Sequence, residues 1–234
     1  MSARATSVPG RPPDAYQAAQ GVTLSSRVRL ARNLRGVPFP DKASSETREE
    51  VRRRVMEASL GELPIQKVLA ECTPLFRQQL FEDHLISRNL LEKRPQSAVC
   101  MNEARTRAVM INEEDHVRIQ ALKTGLALSE AWADANALDD ALEQRLDYSF
   151  SSSLGYLTSC PSNVGTGMRA SVLMHLPALV LMNEMEPIMN GLGKIGLTVR
   201  GRWGEGTAAL GHMFQVSNQL TLGLAETRIV ADLE

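Results

Sequence analysis

The densest group of chemically active side chains in this 234-residue sequence lies at residues 112–120, where three acids, a histidine and an arginine are close together. They directly follow the apolar run 108–111, which is typical of a strand covered on both faces. Residues 113–118 would then lie at a strand end, where functional groups often collect. A solvated turn is the competing interpretation of these residues.

A second candidate group is a pair of arginines, Arg27 and Arg29, two positions apart. On an extended segment, residues at this spacing point to the same side. Two neighbouring guanidinium groups suit the bidentate binding of phosphate oxygens. Arg32 and Arg35, in the same segment, are interpreted as structural or surface charges. The pair therefore predicts a phosphate-bearing ligand.

A third candidate is Cys160, which is followed two residues later by Ser162. A hydroxyl at that position can donate a hydrogen bond to a thiolate and favour the ionised sulfur. Cys72 and Cys100 are interpreted as buried small apolar residues. The spacing of the three cysteines fits neither a zinc site nor a disulfide framework, so we expect a reducing, cytoplasmic location.

Five segments stand out together, and they are residues 25–29, 83–84, 112–120, 160–172, and 200–207 with 216–219. In the same order, they resemble motifs of the guanido phosphotransferases, the phosphagen kinase family that transfers the γ-phosphate of ATP to a guanidinium nitrogen. Within this family, the motif sequences are most similar to those of the bacterial protein-arginine kinases.

The resemblance implies ATP and Mg²⁺ as cofactors, with no metal held by the protein alone, and it implies two sets of site residues. The catalytic set is Glu114, Cys160 and Glu205. The ATP-binding set is Ser25, Ser26, Arg27, Val28, Arg29, His84, Arg118, Arg169, Ala170, Ser171, Val172, Leu173, Arg200, Gly201, Arg202, Trp203, Gly204 and Glu205.

These residue types agree with the demands of phosphoryl transfer. ATP carries roughly four negative charges, of which Mg²⁺ offsets two, and arginines from several motifs would supply the remainder. A guanidinium acceptor has no free lone pair at neutral pH, so carboxylates must hold it and take its proton. Glu114 matches the catalytic glutamate of the family. Glu205 is the candidate for a second carboxylate, although Ala208 stands where many relatives have a glutamate.

Length and composition suit a globular protein of one large or two small domains, because 43% of the residues are hydrophobic. The 26 basic and 27 acidic residues give no reason to expect a nucleic-acid partner. Residues 1–21 are expected to form a flexible arm, neither a signal peptide nor a membrane anchor. Residues 22–234 are expected to form the catalytic domain.

The pattern of elements predicts an α+β fold, a mostly antiparallel β-sheet flanked by α-helices. A capping box at Thr47 predicts a helix to residue 60, and Thr73 with Pro74 predicts a second helix that ends near His84. Pro187 is predicted to break a later helix. The remaining predictions are a hairpin of 97–101 and 106–111, a helix over 128–142, a return to the sheet over 148–157, and strands over 169–176, 194–200 and 213–219.

The acceptor is expected to be an arginine presented by a protein. Small-molecule phosphagen kinases have a helical N-terminal domain that helps to cover the substrate, whereas only 24 residues precede Ser25 here. The chain ends at Glu234, so the C-terminal helical domain of the protein-arginine kinases is expected to be absent and the last helix cut short. The resemblance also implies a zinc-finger activator and a Clp-type protease system as partners.

Two alternatives stay open. One is a non-catalytic nucleotide- or phosphoarginine-binding module, which Ala208 and Pro187 would permit. The other is a kinase for a small guanidine compound.

Overall fold

Alternating polar and apolar side chains build the strands of one large sheet in the computed structural model, which describes residues 21–92, 95–201 and 210–234. The predicted arm lies outside the described residues except for Gly21, and so do Arg202, Trp203, Gly204, Glu205 and Ala208. The strands, β1 to β10, are Thr23–Arg32, Ile65–Val68, Ala98–Met101, Arg107–Ile111, Val117–Thr124, Phe150–Ser151, Gly155–Tyr156, Met168–His175, Leu197–Gly201 and Met213–Asn218.

Seven α-helices accompany these strands in the described part of the chain. In chain order, α1 to α7 are Ser45–Ser59, Pro74–Glu82, Arg88–Leu91, Leu128–Glu143, Pro177–Leu181, Met185–Lys194 and Glu226–Leu233.

The eight-stranded sheet has the order β2-β3-β4-β5-β1-β8-β10-β9, and each neighbouring pair is antiparallel. The predicted α+β class with a mostly antiparallel sheet is therefore confirmed. β1 lies near the centre of the sheet between β5 and β8, although it comes first in the sequence. This order brings the segments around residues 27, 118 and 169 side by side.

The main core lies on one face of this sheet. Val28 and Leu30 of β1 are fully buried there, and α1, α4 and α7 cover them. Each such side chain stabilises the fold by about 1.5–3 kcal/mol relative to an exposed position. On the other face, a smaller core under α2 and α3 covers only the β2-β3-β4 end. The remainder of that face is left for polar side chains.

Three local predictions are wrong. Ser44, not Thr47, caps α1, because the Ser44 hydroxyl accepts a hydrogen bond from the Thr47 amide at 3.2 Å. Residues 148–157 do not return to the sheet, since β6 and β7 pair as a separate hairpin. Pro187 lies in the first turn of α6, where a missing amide hydrogen is tolerated, and the helical segment is interrupted instead at Asn183, with φ of 57°.

Candidate active site

The arginines of the central strands lie on the sheet face opposite the main core. Arg27 and Arg29 alternate with buried Val28 along β1, and Arg29 is directly opposite Arg169 on β8. Residues directly opposite each other on antiparallel strands have side chains on the same face. The predicted common direction of Arg27 and Arg29 is confirmed, and Arg169 lies beside them.

Arg118 and Arg200 complete the group from two further strands. Arg118 on β5 is paired with Ala31, two residues beyond Arg29, and Arg200 on β9 is paired with Gln215 on β10. All five arginines line one cavity of about 460 Å³. Guanidinium groups from four strands therefore converge on a single space.

The arginine group is electrostatically strained. Burial, followed by the charges of Arg118 and Arg169, lowers the pKa of Arg27 to about 10. Burial, followed by the charges of Arg27, Arg118 and Arg169, also lowers the pKa of Arg29, and its buried Nε has no hydrogen-bond partner among the described residues. Burial, then Arg200 and Arg118, lower the pKa of Arg169. A bound polyanion would relieve this repulsion.

Two polar side chains of β10 hold arginines of the group in place. Ser217 Oγ accepts a hydrogen bond from Arg169 Nη2 at 3.0 Å, and Gln215 Oε1 lies 3.5 Å from Arg27 Nη2. Both line the cavity. Sequence reasoning missed Gln215, and it placed Ser217 in the matched segment 216–219 without giving it a role. The alternation of polar residues 215 and 217 with residues 214 and 216 was the signal that would have found them.

Glu113 and Glu114 occupy different environments at the end of β4. Glu113 is buried, and it accepts hydrogen bonds from Arg118 Nη1 at 2.5 Å and from Ser87 Oγ at 2.6 Å. Burial would raise the pKa of Glu113, but Arg118, Ser87, the Glu114 amide and Arg29 outweigh it and hold the pKa below its usual value. Glu113 thus holds the Arg118 side chain in position without lining the cavity itself.

Glu114 lines the cavity itself and is half-buried. Burial, followed by the charges of Asp115 and Glu113, raises the pKa of Glu114. A carboxylate with a raised pKa is a better proton acceptor than an ordinary one. Of the two adjacent glutamates, Glu114 is therefore placed for proton transfer.

Cys160 is far from Glu114 in the sequence, but both residues line the same cavity. The Cys160 sulfur is 3.0 Å from the Ser162 hydroxyl, as the sequence spacing predicts. Gly167 ends this loop with φ of +63°, and a side chain there would collide with the Ala31 carbonyl oxygen, 2.6 Å from a Cβ atom. The loop can therefore approach β1 closely only with glycine at this position.

One carboxylate fixes the loop of Glu114 to the segment of Cys160. Asp115 Oδ1 accepts hydrogen bonds from Asn33 Nδ2 and from the Ser159 backbone amide, both at 2.7 Å. Asp115 follows Glu114 and Ser159 precedes Cys160, so this contact sets the spacing between the two reactive groups. No sequence pattern indicates it, because the partners come from three distant segments.

Arg32 stabilises the loop between Cys160 and Gly167, in agreement with its predicted structural role. It is buried, its Nη2 donates to Asp139 Oδ2 at 2.6 Å, and its Nη1 donates to the Thr166 carbonyl oxygen at 3.0 Å. The Tyr156 ring lies 3.5 Å from its guanidinium carbon. A buried charge needs such partners.

His116 does not face the cavity. Its ring is buried, Nδ1 accepts a hydrogen bond from the Leu34 amide at 3.1 Å, and Nε2 lies 2.9 Å from the Pro38 carbonyl oxygen. Nε2 therefore carries the proton and donates to Pro38. Burial lowers the pKa of His116, which favours this neutral ring.

A small adjoining cavity of about 40 Å³ extends the site along the sheet. His84 lies there beside Ser25, and its carbonyl oxygen accepts a hydrogen bond from Gln120 Nε2 at 2.6 Å. Ser171 and Leu173 of β8 also line this space. Four of the predicted nucleotide residues are thus brought together at one end of the arginine group.

The side chains of other predicted nucleotide residues lie on the sheet face opposite the cavity, and their assignment to the ATP site stays a prediction. Val28, Ala170 and Val172 belong to the main core, and the buried Ser26 hydroxyl donates to the Gly125 carbonyl oxygen at 2.7 Å. Strand alternation turns them away from the cavity. Gly201 is buried at the end of β9.

The remaining cysteines lie outside the cavity. Cys100 is buried in the main core, as predicted, and burial raises its pKa to about 12. Cys72 is only half-buried, which departs from the prediction, and its sulfur donates to the Val68 carbonyl oxygen at 3.3 Å. Burial also raises the pKa of Cys72.

Neither a metal cluster nor a membrane-spanning helix is present in residues 21–92, 95–201 and 210–234. In these ranges, no cluster of three or more histidine, cysteine, aspartate or glutamate side chains could hold a metal ion. Within the same residues, no helix has the length and apolarity needed to cross a membrane.

This fold and site define a class of protein. A family model, the ATP:guanido phosphotransferase C-terminal catalytic domain, matches residues 47–234. The chain therefore belongs to the ATP:guanido phosphotransferase family, which confirms the resemblance found in the sequence.

Within this family, the chain is similar to proteins named protein-arginine kinase. The protein-arginine kinase of Pelotomaculum thermopropionicum is 51% identical over 220 residues, a match that covers 91% of this chain and 62% of that protein. The protein-arginine kinase of Clostridium acetobutylicum is 44% identical over 219 residues, covering 91% of this chain and 64% of that protein. The chain thus spans less than two thirds of the length of either relative.

Solved structures support the same fold. The duplicated taurocyamine kinase from Schistosoma mansoni, with bound transition state analog components, superposes with a TM-score of 0.83 at 28% identity, covering 97% of this chain and 33% of that one. A lombricine kinase gives a TM-score of 0.78 at 29% identity, covering 92% and 64%.

Proposed function

We propose that this chain is the catalytic part of an ATP-dependent protein-arginine kinase, which transfers the γ-phosphate of ATP to the guanidinium group of arginine residues in proteins. One observation carries the proposal: five arginines, a carboxylate with a raised pKa and a cysteine thiol line the same cavity. The arginines suit the phosphates of ATP, and the carboxylate and the thiol suit a guanidinium acceptor.

The arginine group is suited to the triphosphate. Phosphoryl transfer depends on alignment and on neutralising the oxygens of the transferred group, and little else is required of the protein. In our proposal the nucleoside lies towards His84, and the β- and γ-phosphates lie between Arg29, Arg118 and Arg169. Glu113 keeps Arg118 in position without contacting the nucleotide.

The acceptor would lie at the other end of the cavity. A guanidinium nitrogen attacks the γ-phosphorus, the bond from phosphorus to the β,γ-bridging oxygen breaks, and ADP leaves with that electron pair. The nitrogen releases its proton to Glu114. A thiolate at Cys160 would hold the positive acceptor by charge, without forming a covalent bond. Glu205, outside the described residues, is proposed as the second carboxylate.

Mg²⁺ would be held mainly by the phosphates and by water, which is its usual behaviour in kinases. The ion would neutralise charge that develops on the β- and γ-oxygens.

Incubation with ATP and either a protein or free arginine tests the proposal. We expect acid-labile phosphate on nitrogen in the protein sample, and little in the free arginine sample. The names of the curated relatives support a protein acceptor, whereas the lombricine and taurocyamine kinases support a small guanidine compound as second candidate. ATP binding without any transfer would indicate a non-catalytic binding module.

Protein substrates that present arginine follow from this proposal. A zinc-finger activator and a Clp-type protease system are further proposed partners, which co-purification tests. A cytoplasmic location also stays a prediction, and cell fractionation tests it.

A further inference from the structure

A second cavity of about 220 Å³ adjoins the acceptor end of the main one. The two share Ser162, Asn163, Arg169 and Arg200. Met168 at the start of β8 also lines the second cavity, at the end of the strands away from His84. A ligand there would lie beyond Cys160 as seen from the nucleotide.

The wall of this second cavity is fixed by hydrogen bonds before any ligand binds. Asn218 Oδ1 accepts from the Ala170 amide at 2.9 Å, and Asn218 Nδ2 donates to the Met168 carbonyl oxygen at 3.1 Å. Thr221 Oγ1 donates to the Ser162 carbonyl oxygen at 2.9 Å. These contacts tie β10 and the segment after it to β8 and to the Cys160 loop, so the cavity has a preorganised shape.

The remaining lining groups favour a negatively charged or hydrogen-bond-accepting ligand. Thr198, Gln219 and Asn163 add uncharged polar side chains to the lining, and none of the described residues that line the cavity has a carboxylate. Two guanidinium groups, of Arg169 and Arg200, form its border with the main cavity. A carboxylate would find donors and favourable charge together.

Size and charge agree on one kind of occupant. The volume is below the roughly 300–1,000 Å³ of usual small-molecule sites, so it suits a single side chain. The cavity wall carries the charges of Arg169 and Arg200, and none of the described lining residues carries a carboxylate. A negative charge in this cavity would therefore be stabilised.

We propose that the second cavity is a subsite for the side-chain carboxylate of an aspartate or glutamate close to the target arginine of the protein substrate. The inference rests on the proposed protein-arginine kinase function and adds a sequence preference to it. Gln219 is exposed at the mouth of the cavity, so its charge can be changed without disturbing the core.

Matched peptides test the subsite. One arginine is placed beside Glu, Gln or Lys in otherwise identical sequences, and kcat/KM is measured for the wild type, Gln219→Glu and Gln219→Lys. We expect the wild type to prefer the Glu peptide over the Gln peptide by roughly 5- to 10-fold. Gln219→Glu should abolish or reverse this preference, and Gln219→Lys should keep or increase it.

Gln144→Glu is the matched control, because Gln144 is exposed at the end of α4 on the opposite face of the sheet. It makes the same change in net charge and should leave the preference unaltered. Equal use of the Glu and Gln peptides by the wild type, or an equal shift in the control, would overturn the subsite.

Failure of the proposed function gives a different result, transfer to none of the peptides. Fluorescence anisotropy of the same labelled peptides with the ADP-bound protein then decides the subsite separately. Tighter binding of the Glu peptide, lost in Gln219→Glu, supports it, and equal affinities reject it.

Discussion

Glu113 and Glu114 are adjacent carboxylates in opposite environments, so replacing each by glutamine should change stability in opposite directions. Burial would raise the pKa of Glu113, but Arg118, Ser87 and the Glu114 amide outweigh it and hold the pKa below its ordinary 4.5. Burial, then Asp115 and Glu113, raise the pKa of Glu114 above that value. Ionised Glu113 therefore stabilises the folded protein, and ionised Glu114 destabilises it.

The expected magnitudes follow from burial. Removing one partner of a buried ion pair costs about 3–5 kcal/mol, and the Glu113 and Arg118 side chains are 2% and 19% exposed. Glu113→Gln should therefore lower the free energy of unfolding by about 3 kcal/mol, the lower end of that range. Glu114→Gln should raise it by a smaller amount, because Glu114 is only half-buried and solvent screens the repulsion of its charge.

Both effects on the free energy of unfolding should disappear in acid. For Glu113 a stabilisation is lost, and for Glu114 a destabilisation is lost. The stability from Glu113 is present above its unfolded pKa and is lost as pH falls through its lowered folded pKa. The penalty from Glu114 is present above its raised folded pKa and vanishes as pH falls through the unfolded value. The two variants should then differ strongly near neutral pH and converge well below pH 4.

Urea unfolding at those two pH values measures the stabilities, and calorimetry with a transfer assay measures function. Glu114→Gln should lose at least about 10²-fold in transfer while ATP affinity stays within a few-fold, because this carboxylate acts on the acceptor. Stability changes of the same sign in both variants would refute the electrostatic reasoning. Near-normal turnover in Glu114→Gln would remove Glu114 from the mechanism.

Three further outcomes are expected. Arg169→Ala should weaken ATP binding by roughly 2 to 4 kcal/mol in calorimetry, and lysine should rescue only partly; unchanged binding would mean that the phosphates lie elsewhere. Cys160 should be the thiol labelled first by a brief iodoacetamide pulse, with protection by ATP plus an acceptor protein, because burial raises the pKa of Cys72 and Cys100; mass spectrometry that finds Cys100 labelled first would contradict this. Asp115→Ala should reduce turnover about 10- to 100-fold by misplacing the acceptor groups, and an equal loss of ATP affinity would show a wider structural role.

Local patterns were sufficient where the site depends on strand geometry. Arg27 and Arg29 share a face because side chains alternate along a strand, which two positions of sequence already reveal. The same alternation predicts that the side chains of Val28 and Ser26 point to the opposite face, so the matched motif contains residues of both faces of the strand.

Other features depend on distant parts of the chain and have no local signal. The contact of Asp115 with Ser159 exists only after the sheet has brought two loops together. The separate hairpin near residue 155 is similar, because a side chain at Gly155 would lie 2.4 Å from the Gly165 carbonyl oxygen. Single-sequence patterns report one element at a time, so they do not reveal such approaches.

The placement of the arginines explains how one sheet combines a stable fold with an unfavourable site. A strand assigns successive residues to opposite faces, so each of Arg27 and Arg29 is adjacent to a fully buried residue, Val28 or Leu30, whose packing offsets part of the repulsion. A helix would spread such residues around its axis. The repulsion that remains is released when a polyanion binds, so the strain of the free site contributes to affinity for the ligand and to the stability of the bound protein.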